Sequence, residues 1–359
     1  MKSLHTPLDI HGLKIPNRIV MAPLATWFSD ESGKVNEKHL KHYGDRKGPG
    51  LMIVEATTVS PEGRLSETQL GLFDDNQIEG HKKLAALIES NGSVPGIQIH
   101  HAGGKATVKT NYGLLPLVPS RKGVKEGKEC RELTVEDIHR IQRDFARAAE
   151  RAVESGYKYI ELHGAHGYLG TQFLSPLTNK RTDGYGGSLS GRQRFILELF
   201  SLVEKAVNGR ALVSIRLGAA EKEGLTLEEG IDTAEKLKAM GIKIVNISSA
   251  HSIPKLDELD DDRFSPLLNM GANVKRATGL TVIGVGGIKK AEEAVSAVET
   301  GLIDMVAVGK AILCDPRWAE RTLAGKGEEI ELCIGCRPCK WFTEPEKCPV
   351  RVKREKAVQ

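Results

Sequence analysis

One alternation, repeated along the chain, limits what this sequence can fold into. Short β-rich runs recur eight times: Arg18–Ala25, Leu51–Val59, Val94–His101, Tyr159–Gly164, Ala211–Gly218, Ile244–Ser249, Thr281–Gly286 and Met305–Val308. Several are nearly continuous in apolar residues, which fits strands buried on both faces of a parallel sheet. Parallel neighbours need a crossover between them, and the intervening segments have helical patterns that supply it. Thr134-Val-Glu-Asp137 has the form of a capping box, and Ile138, Ile141, Phe145, Ala149 and Ala152 then fall on one helical face. Thr226-Leu-Glu-Glu229 is a second such start, followed by Ile231, Ala234 and Leu237. Lys289–Glu299 reads as a third helix, closed by Gly301. Eight β/α units without a break in composition favour an α/β fold of the closed (β/α)8, or TIM-barrel, kind over an open doubly wound sheet. The open alternative is further weakened because no G-x-G-x-x-G follows the first strand and no Walker A motif occurs.

The barrel pattern spans residues 1–330, and 331–359 form a short Cys-rich appendage. Two loops are long for a compact domain: Lys105–Leu133, rich in Gly, Pro and Lys, and Ala250–Phe264, rich in Asp. Loops of that length are usually lids or binding loops. Lys and Arg number 51 against 47 Asp and Glu, with the signs interspersed, so no nucleic-acid footprint stands out. Met1–Ile10 has no apolar signal core, and no apolar run is long enough to span a bilayer; a cytoplasmic protein without membrane association is expected. A homo-oligomer is also expected.

In a barrel of this kind the site lies where the strands end. The first strand ends in Ala22-Pro23-Leu24-Ala25-Thr26-Trp27, and the third carries Gln98 and then His100-His101. The fourth ends in His163-Gly-Ala-His166-Gly-Tyr168, and the fifth carries Arg216. Gly286-Gly287 and Gly309-Lys310 follow the last two strands, where barrels commonly bind phosphate through backbone N–H groups and a nearby cation. Two tight βα turns would read the same way. His163 and His166 are three apart, so on a continuing strand they would face opposite sides. They share a site only if the strand ends near Gly164 and the chain turns. Two imidazoles and a phenol then suit binding an oxygen and delivering a proton. A metal pair and satisfied core histidines are the competing readings, although no third metal ligand is obvious nearby.

The stretch from His163 through Tyr185-Gly-Gly-Ser-Leu189 closely resembles the Old Yellow Enzyme family. So do Asn17-Arg18 through Met21-Ala-Pro23, Glu55-Ala56 through Ser60-Pro-Glu-Gly63, and Gln98 through His101-Ala-Gly103. The resemblance runs over roughly residues 5 to 325. It implies a non-covalent FMN. Gln98 would bond the flavin's pyrimidine edge, and Arg216 would stabilise the negative charge that develops there on reduction. Ala22, Pro23, Leu24, Ala25 and Ala56 would line the ring, and Gly286, Gly287, Gly309 and Lys310 would hold the phosphate. His163 and His166 would bind a substrate carbonyl oxygen, with Tyr168 protonating Cα. The implied reaction takes hydride from NAD(P)H and delivers it to an alkene conjugated to a carbonyl. Ala25 stands where relatives carry a Cys or Thr that touches the flavin. Trp27 stands where a Tyr is common and would reshape the substrate pocket. Lys310 replaces an Arg, losing a bidentate fork but keeping the charge. Gly191 replaces a usual Asn.

In the tail, Cys333-x2-Cys336-x2-Cys339-x8-Cys348 places three thiols in one tight loop and a fourth at a distance. Four thiolates can close around an iron–sulfur cube or hold zinc. Three cysteines in series look more like a ferredoxin than like paired zinc knuckles, so a [4Fe-4S] cluster is the expectation. The tail also resembles the segment after the barrel in dienoyl-CoA reductases and trimethylamine dehydrogenase, with a shorter last gap. The leading reading is an ene-reductase of small α,β-unsaturated carbonyl compounds. An oxidative flavin dehydrogenase of a small amine, passing electrons to a separate electron-transfer protein, is the second. A non-catalytic electron-transfer module is the third.

Overall fold

The computed structural model describes residues 3–256, 259–342 and 347–358. Eight parallel strands close into a barrel: β1 (Ile19–Met21), β2 (Leu51–Thr58), β3 (Val94–His100), β4 (Tyr159–Gly164), β5 (Leu212–Ala220), β6 (Ile244–Ser249), β7 (Thr281–Val285) and β8 (Met305–Val308). Each pairs with the next in sequence, and β8 returns to β1, with Val306 beside Ile19 and Val308 beside Met21. The fold is thus the (β/α)8 barrel that the alternation implies. All eight runs are strands of it. The first is shortened most, ending at Met21 rather than Ala25, because Pro23 has no N–H to give to a ladder.

The helices that cover the barrel are α1 (Glu37–Gly44), α2 (Ile78–Ser90), α3 (Val135–Glu154), α4 (Leu189–Val207), α5 (Leu227–Ala239), α6 (Pro266–Thr278) and α7 (Ala291–Glu299). The capping box at Thr134 is present: its hydroxyl accepts from the Asp137 N–H, and Asp137 accepts from the Thr134 N–H. Thr226 caps α5 by accepting from the Glu229 N–H. The α3 residues Ile138, Ile141, Phe145, Ala149 and Ala152 are all buried, as their spacing requires. Burial of each larger apolar side chain contributes about 1.5–3 kcal/mol.

The two ends of the barrel differ. A hairpin of Leu8–Ile10 with Leu13–Ile15 closes the N-terminal end, packing Ile10 and Ile15 against Val20, Leu51, Ile53 and Tyr159. Arg18 ties this end shut through the carbonyls of Thr6, Pro7 and Asp304. The C-terminal end carries the long loops. Within Lys105–Leu133, Leu117–Val118 pairs with Arg131–Glu132. Arg181 holds this loop by donating to Pro119 O at 2.8 Å and Leu133 O at 2.6 Å. Of the loop Ala250–Phe264, residues 257 and 258 lie outside the described residues. The Cys-rich segment docks on α1. Trp341 is buried with its ring centroid 5.5 Å from that of His42 and the Arg46 guanidinium 5.9 Å away. Helix α8 (Pro349–Val358) follows. Among the described residues no helix is long and apolar enough to cross a membrane.

Candidate active site

Strands β3 to β6 send a connected set of polar side chains into the barrel mouth. Gln98 lies opposite Glu161, His163 opposite Arg216, and Arg216 opposite Asn246. Glu161 is fully buried and accepts from Gln98 Nε2 at 2.8 Å, Asn246 Nδ2 at 3.0 Å and the Tyr159 hydroxyl at 3.4 Å. Burial raises its pKa, while Arg216 and these donors pull the other way. Arg216 is itself buried, and its Nε has no hydrogen-bond partner. Desolvation lowers its pKa, opposed by Glu161. An unpartnered buried guanidinium N–H is costly. It marks a place where a further acceptor belongs.

The turn that His163 and His166 need is present. β4 ends at Gly164, and His166 (φ +60°) and Gly167 (φ +72°) both take left-handed backbone. That bend brings the two imidazoles together. Their centroids are 5.1 Å apart, and His163 lies 4.8 Å from the Tyr168 ring. The Ala165 N–H donates to His163 Nδ1 at 3.3 Å, which leaves the proton of the neutral ring on Nε2. His166 Nε2 is bonded to Ser248 Oγ at 2.8 Å, leaving Nδ1 for the pocket. Burial holds both imidazoles well below the usual range, with His166, His100 and Arg216 adding to the effect at His163, and Arg216 and Lys105 at His166. Both are neutral near pH 7. Burial raises the Tyr168 phenol, with Arg216 opposing.

Glu161, Asn246 and Ser248 belong to this cluster and are absent from the residues picked out by sequence, and His100, noted there at the end of the third strand, is given no role. His100 stands edge-on to Tyr168, 4.5 Å between centroids, with neither ring nitrogen partnered. Burial lowers its pKa to about 3. A signal existed in the spacing. Gln98/His100, Glu161/His163 and Asn246/Ser248 are each two apart on a strand, so each pair shares the inward face.

The wall formed by β1 and β2 is held by a second buried carboxylate. Glu55 accepts from the Thr26 N–H at 2.7 Å and from the Thr26 hydroxyl at 2.6 Å, with the Tyr43 hydroxyl at 3.5 Å. Burial pushes its carboxyl up to about 7, against the pull of these donors. This grip fixes the turn that carries Pro23, Leu24, Ala25 and Trp27. Trp27 is half-buried and in left-handed backbone at φ +58°. Ala56 follows Glu55 on β2 and is half-buried.

The remaining arc has little side chain. Gly286 (φ +123°) and Gly287 (φ +82°) follow β7. A Cβ on Gly286 would meet Ser265 Oγ at 2.8 Å and Leu267 Cβ at 2.9 Å. One on Gly309 would meet Leu24 Cδ1 at 3.1 Å and lie 3.9 Å from Ala22 Cβ, so the ends of β8 and β1 adjoin. Lys310 is exposed and lines a cavity with Cys333, Cys336, Cys339, Cys348, Cys314 and Trp341. The four tail cysteines therefore face one space. Among the described residues no three His, Cys, Asp or Glu side chains are grouped to hold a single metal ion.

The end of the closed barrel brings together a pair of imidazoles, a buried guanidinium and a glycine-lined arc, and comparison with known proteins places the chain among flavin oxidoreductases. Residues 3–329 match the model of the NADH:flavin oxidoreductase / NADH oxidase family. The chain is 39% identical over 337 residues to an NADH oxidase of Thermoanaerobacter brockii, covering 91% of this chain and 52% of that protein. It is 35% identical over 334 residues to an NADPH dehydrogenase of Geobacillus sp. (strain WCH70), covering 92% and 96%. Among solved structures, a 2-naphthoyl-CoA reductase in complex with 2-naphthoyl-CoA superposes with TM-score 0.84 at 26% identity, covering 93% of this chain and 54% of that one. Morphinone reductase in complex with tetrahydroNAD superposes with TM-score 0.78 at 28% identity, covering 91% and 92%. The chain spans about half the length of the first relative in each comparison. This chain belongs to the NADH:flavin oxidoreductase / NADH oxidase family.

Proposed function

We propose that this chain binds FMN at the barrel mouth and reduces the C=C bond of α,β-unsaturated carbonyl compounds with hydride from NAD(P)H. The observation that carries the reading is the clustering of His163, His166 and Tyr168 at the barrel mouth beside Arg216. The fit to FMN rests on the unpartnered Arg216 Nε and on the arc of Gly286, Gly287 and Gly309, where a Cβ on Gly286 or Gly309 would press on Ser265, Leu267 or Leu24. When bound, FMN supplies a hydride carrier between nicotinamide and alkene. Gln98 and Arg216 would hold its polar edge; Ala22, Pro23, Leu24, Ala25 and Ala56 would line its ring. Gly286, Gly287, Gly309 and Lys310 would take its phosphate.

The protein's own residues then have separable tasks. His163 Nε2–H and the free Nδ1 edge of His166 hold a carbonyl oxygen and draw electron density towards it. Both rings are neutral, so they donate hydrogen bonds without losing a full proton. Tyr168, kept protonated by its raised pKa, supplies the proton to Cα. Trp27 closes the pocket over the β1 end. The test is an anaerobic optical titration in which the reduced holoenzyme is mixed with cyclohexenone. Return of the oxidised flavin spectrum supports the reading, and no return rejects it. Tyr168→Phe should slow that return on the order of 100-fold while leaving reduction by NADPH nearly intact.

The common cavity of Cys333, Cys336, Cys339 and Cys348 favours one addition. Four thiols lining one space would suit a [4Fe-4S] cluster, which would supply one-electron transfer. It would allow exchange with a separate electron-transfer protein, the feature an oxidative dehydrogenase would use. Iron and acid-labile sulfide near about four each per chain in anaerobically purified protein are expected. Stoichiometric zinc without sulfide would reject the cluster.

A further inference from the structure

Two lysines stand at the mouth of the site, neither of them ion-paired to an acid among the described residues. Lys105 follows β3 in the turn that closes over the His166 loop. Its Nζ donates to the backbone carbonyl of His166 at 2.6 Å and lies 5.1 Å from the centroid of the Tyr168 ring. Lys128, from the far side of the same long loop, donates to the carbonyl of Gly104. The two ammonium groups are close enough for Lys128 to disfavour the charge on Lys105. Each head donates to a neutral backbone carbonyl, Lys105 to that of the β4 loop and Lys128 to that of Gly104. Neither forms an ion pair with a carboxylate among the described residues.

The pocket beneath them adds to the imbalance. Its imidazoles, His100, His163 and His166, are held neutral, and Lys105 contributes to that at all three. Glu161 is the acid of this cluster. It lies under Arg216 and is occupied by Gln98 and Asn246. Arg216 therefore has its counter-charge, whereas neither lysine makes an ion pair among the described residues. Like charges brought together without a counter-ion are unfavourable, and an anion between them reverses the sign. Lys105 is also exposed, so a ligand entering the mouth can reach it.

We propose that Lys105 and Lys128 form an oxyanion subsite at the entrance, taking a carboxylate or phosphate on a molecule whose reacting end lies at His163, His166 and Tyr168. The inference rests on the reading of that site as the hydride-transfer centre. The oxyanion has two sources, the phosphates of the nicotinamide donor and an acid group on the alkene. Anchoring Nζ of Lys105 on the His166 carbonyl sets the distance between the anionic and the reacting ends, so the subsite selects by length as well as charge.

The experiment uses FMN-loaded protein and matched ligands in rapid-mixing kinetics. For the alkene, 4-oxopent-2-enoate is compared with pent-3-en-2-one, which has a methyl in place of the carboxylate. For the donor, NADPH is compared with 1-benzyl-1,4-dihydronicotinamide, which has no phosphate. Wild type, Lys128→Gln, Lys105→Gln and Lys105→Arg are measured. In one or both pairs, the preference for the anionic member, as the ratio of apparent second-order rate constants, should fall about tenfold in each Gln variant. It should be largely kept in Lys105→Arg. A fall confined to the alkene pair identifies an acid substrate, and a fall confined to the donor pair identifies the nicotinamide phosphates. Equal losses for charged and neutral members, or no loss, overturn the subsite. If neither alkene reoxidises the flavin, the ene-reductase reading fails, and the donor pair alone then decides for or against the subsite.

Discussion

The barrel mouth has two arcs built on opposite principles. Strands β3 to β6 contribute side chains, and hydrogen bonds fix several of them: Gln98 and Asn246 on Glu161, Ser248 on His166, the Ala165 N–H on His163. Strands β7, β8 and β1 contribute backbone, with glycines where a Cβ would strike Ser265, Leu267 or Leu24. The first arc can orient and protonate. The second can only hold, and its usefulness depends on what it omits. A change in the first should therefore alter the rate per bound flavin, and a change in the second should alter flavin retention with the rate per bound flavin kept.

The largest effect is expected at Arg216, where charge and position coincide. Arg216→Met should slow flavin reduction by NADPH by about 10²–10³-fold, the range for removing one preorganised donor at a developing charge. A stopped-flow rate within about threefold of wild type would show that the first arc does not use its cation. On the second arc, Gly286→Ala forces a methyl into Ser265 and Leu267 at a backbone angle unfavourable to alanine. Its FMN dissociation constant should rise at least about tenfold, measured by fluorescence of released flavin. The rate per bound flavin should stay within about twofold. A matching loss in that rate would break the separation of the arcs. A smaller effect is expected at Ser248, which acts only through His166. Ser248→Ala frees the ring to place its proton on either nitrogen, and reoxidation by cyclohexenone should slow by about three- to tenfold. No change would mean that His166 is fixed by the turn alone.

The same contrast governs what could be read in the sequence. The eight strands and the caps at Thr134 and Thr226 are local, set by runs and spacings of a few residues, and they are legible. So are the glycines after β7 and β8, because a substitution there meets its own surroundings whatever is bound. The inward face of each strand is harder. β3 reads Val-Pro-Gly-Ile-Gln-Ile-His, and apolar residues on both faces hide the parity that puts Gln98 and His100 together. The Lys105 contact with the His166 carbonyl joins positions 61 apart, and no local pattern announces it. The long resemblance motif also misleads about density of function. Much of it is scaffold, with Asn179 donating to the carbonyls of Phe173 and Tyr185, and Arg181 holding the loop at Pro119 and Leu133.

Glu55 joins the two arcs, since it holds the turn of β1 while sitting on β2. Its carboxyl is pushed up to about 7 from an ordinary 4.5 by burial. The folded chain therefore binds this proton more tightly than the unfolded chain does. The sign follows: the stability this proton contributes is full below about 4.5 and is lost as pH rises through about 7. Glu55→Gln removes the titration and keeps the shape. The melting temperature of wild type minus that of Glu55→Gln should therefore fall as pH is raised from about 5 to about 8. The donors on Glu55 argue in the other direction, because Thr26 offers both its N–H and its hydroxyl, and a protonated acid accepts fewer bonds. A difference that rises with pH would mean that these hydrogen bonds outweigh desolvation. Glu55 would then be an ionised clamp at every pH at which the enzyme works, and the turn at Ala25 and Trp27 would be rigid for electrostatic reasons rather than by packing.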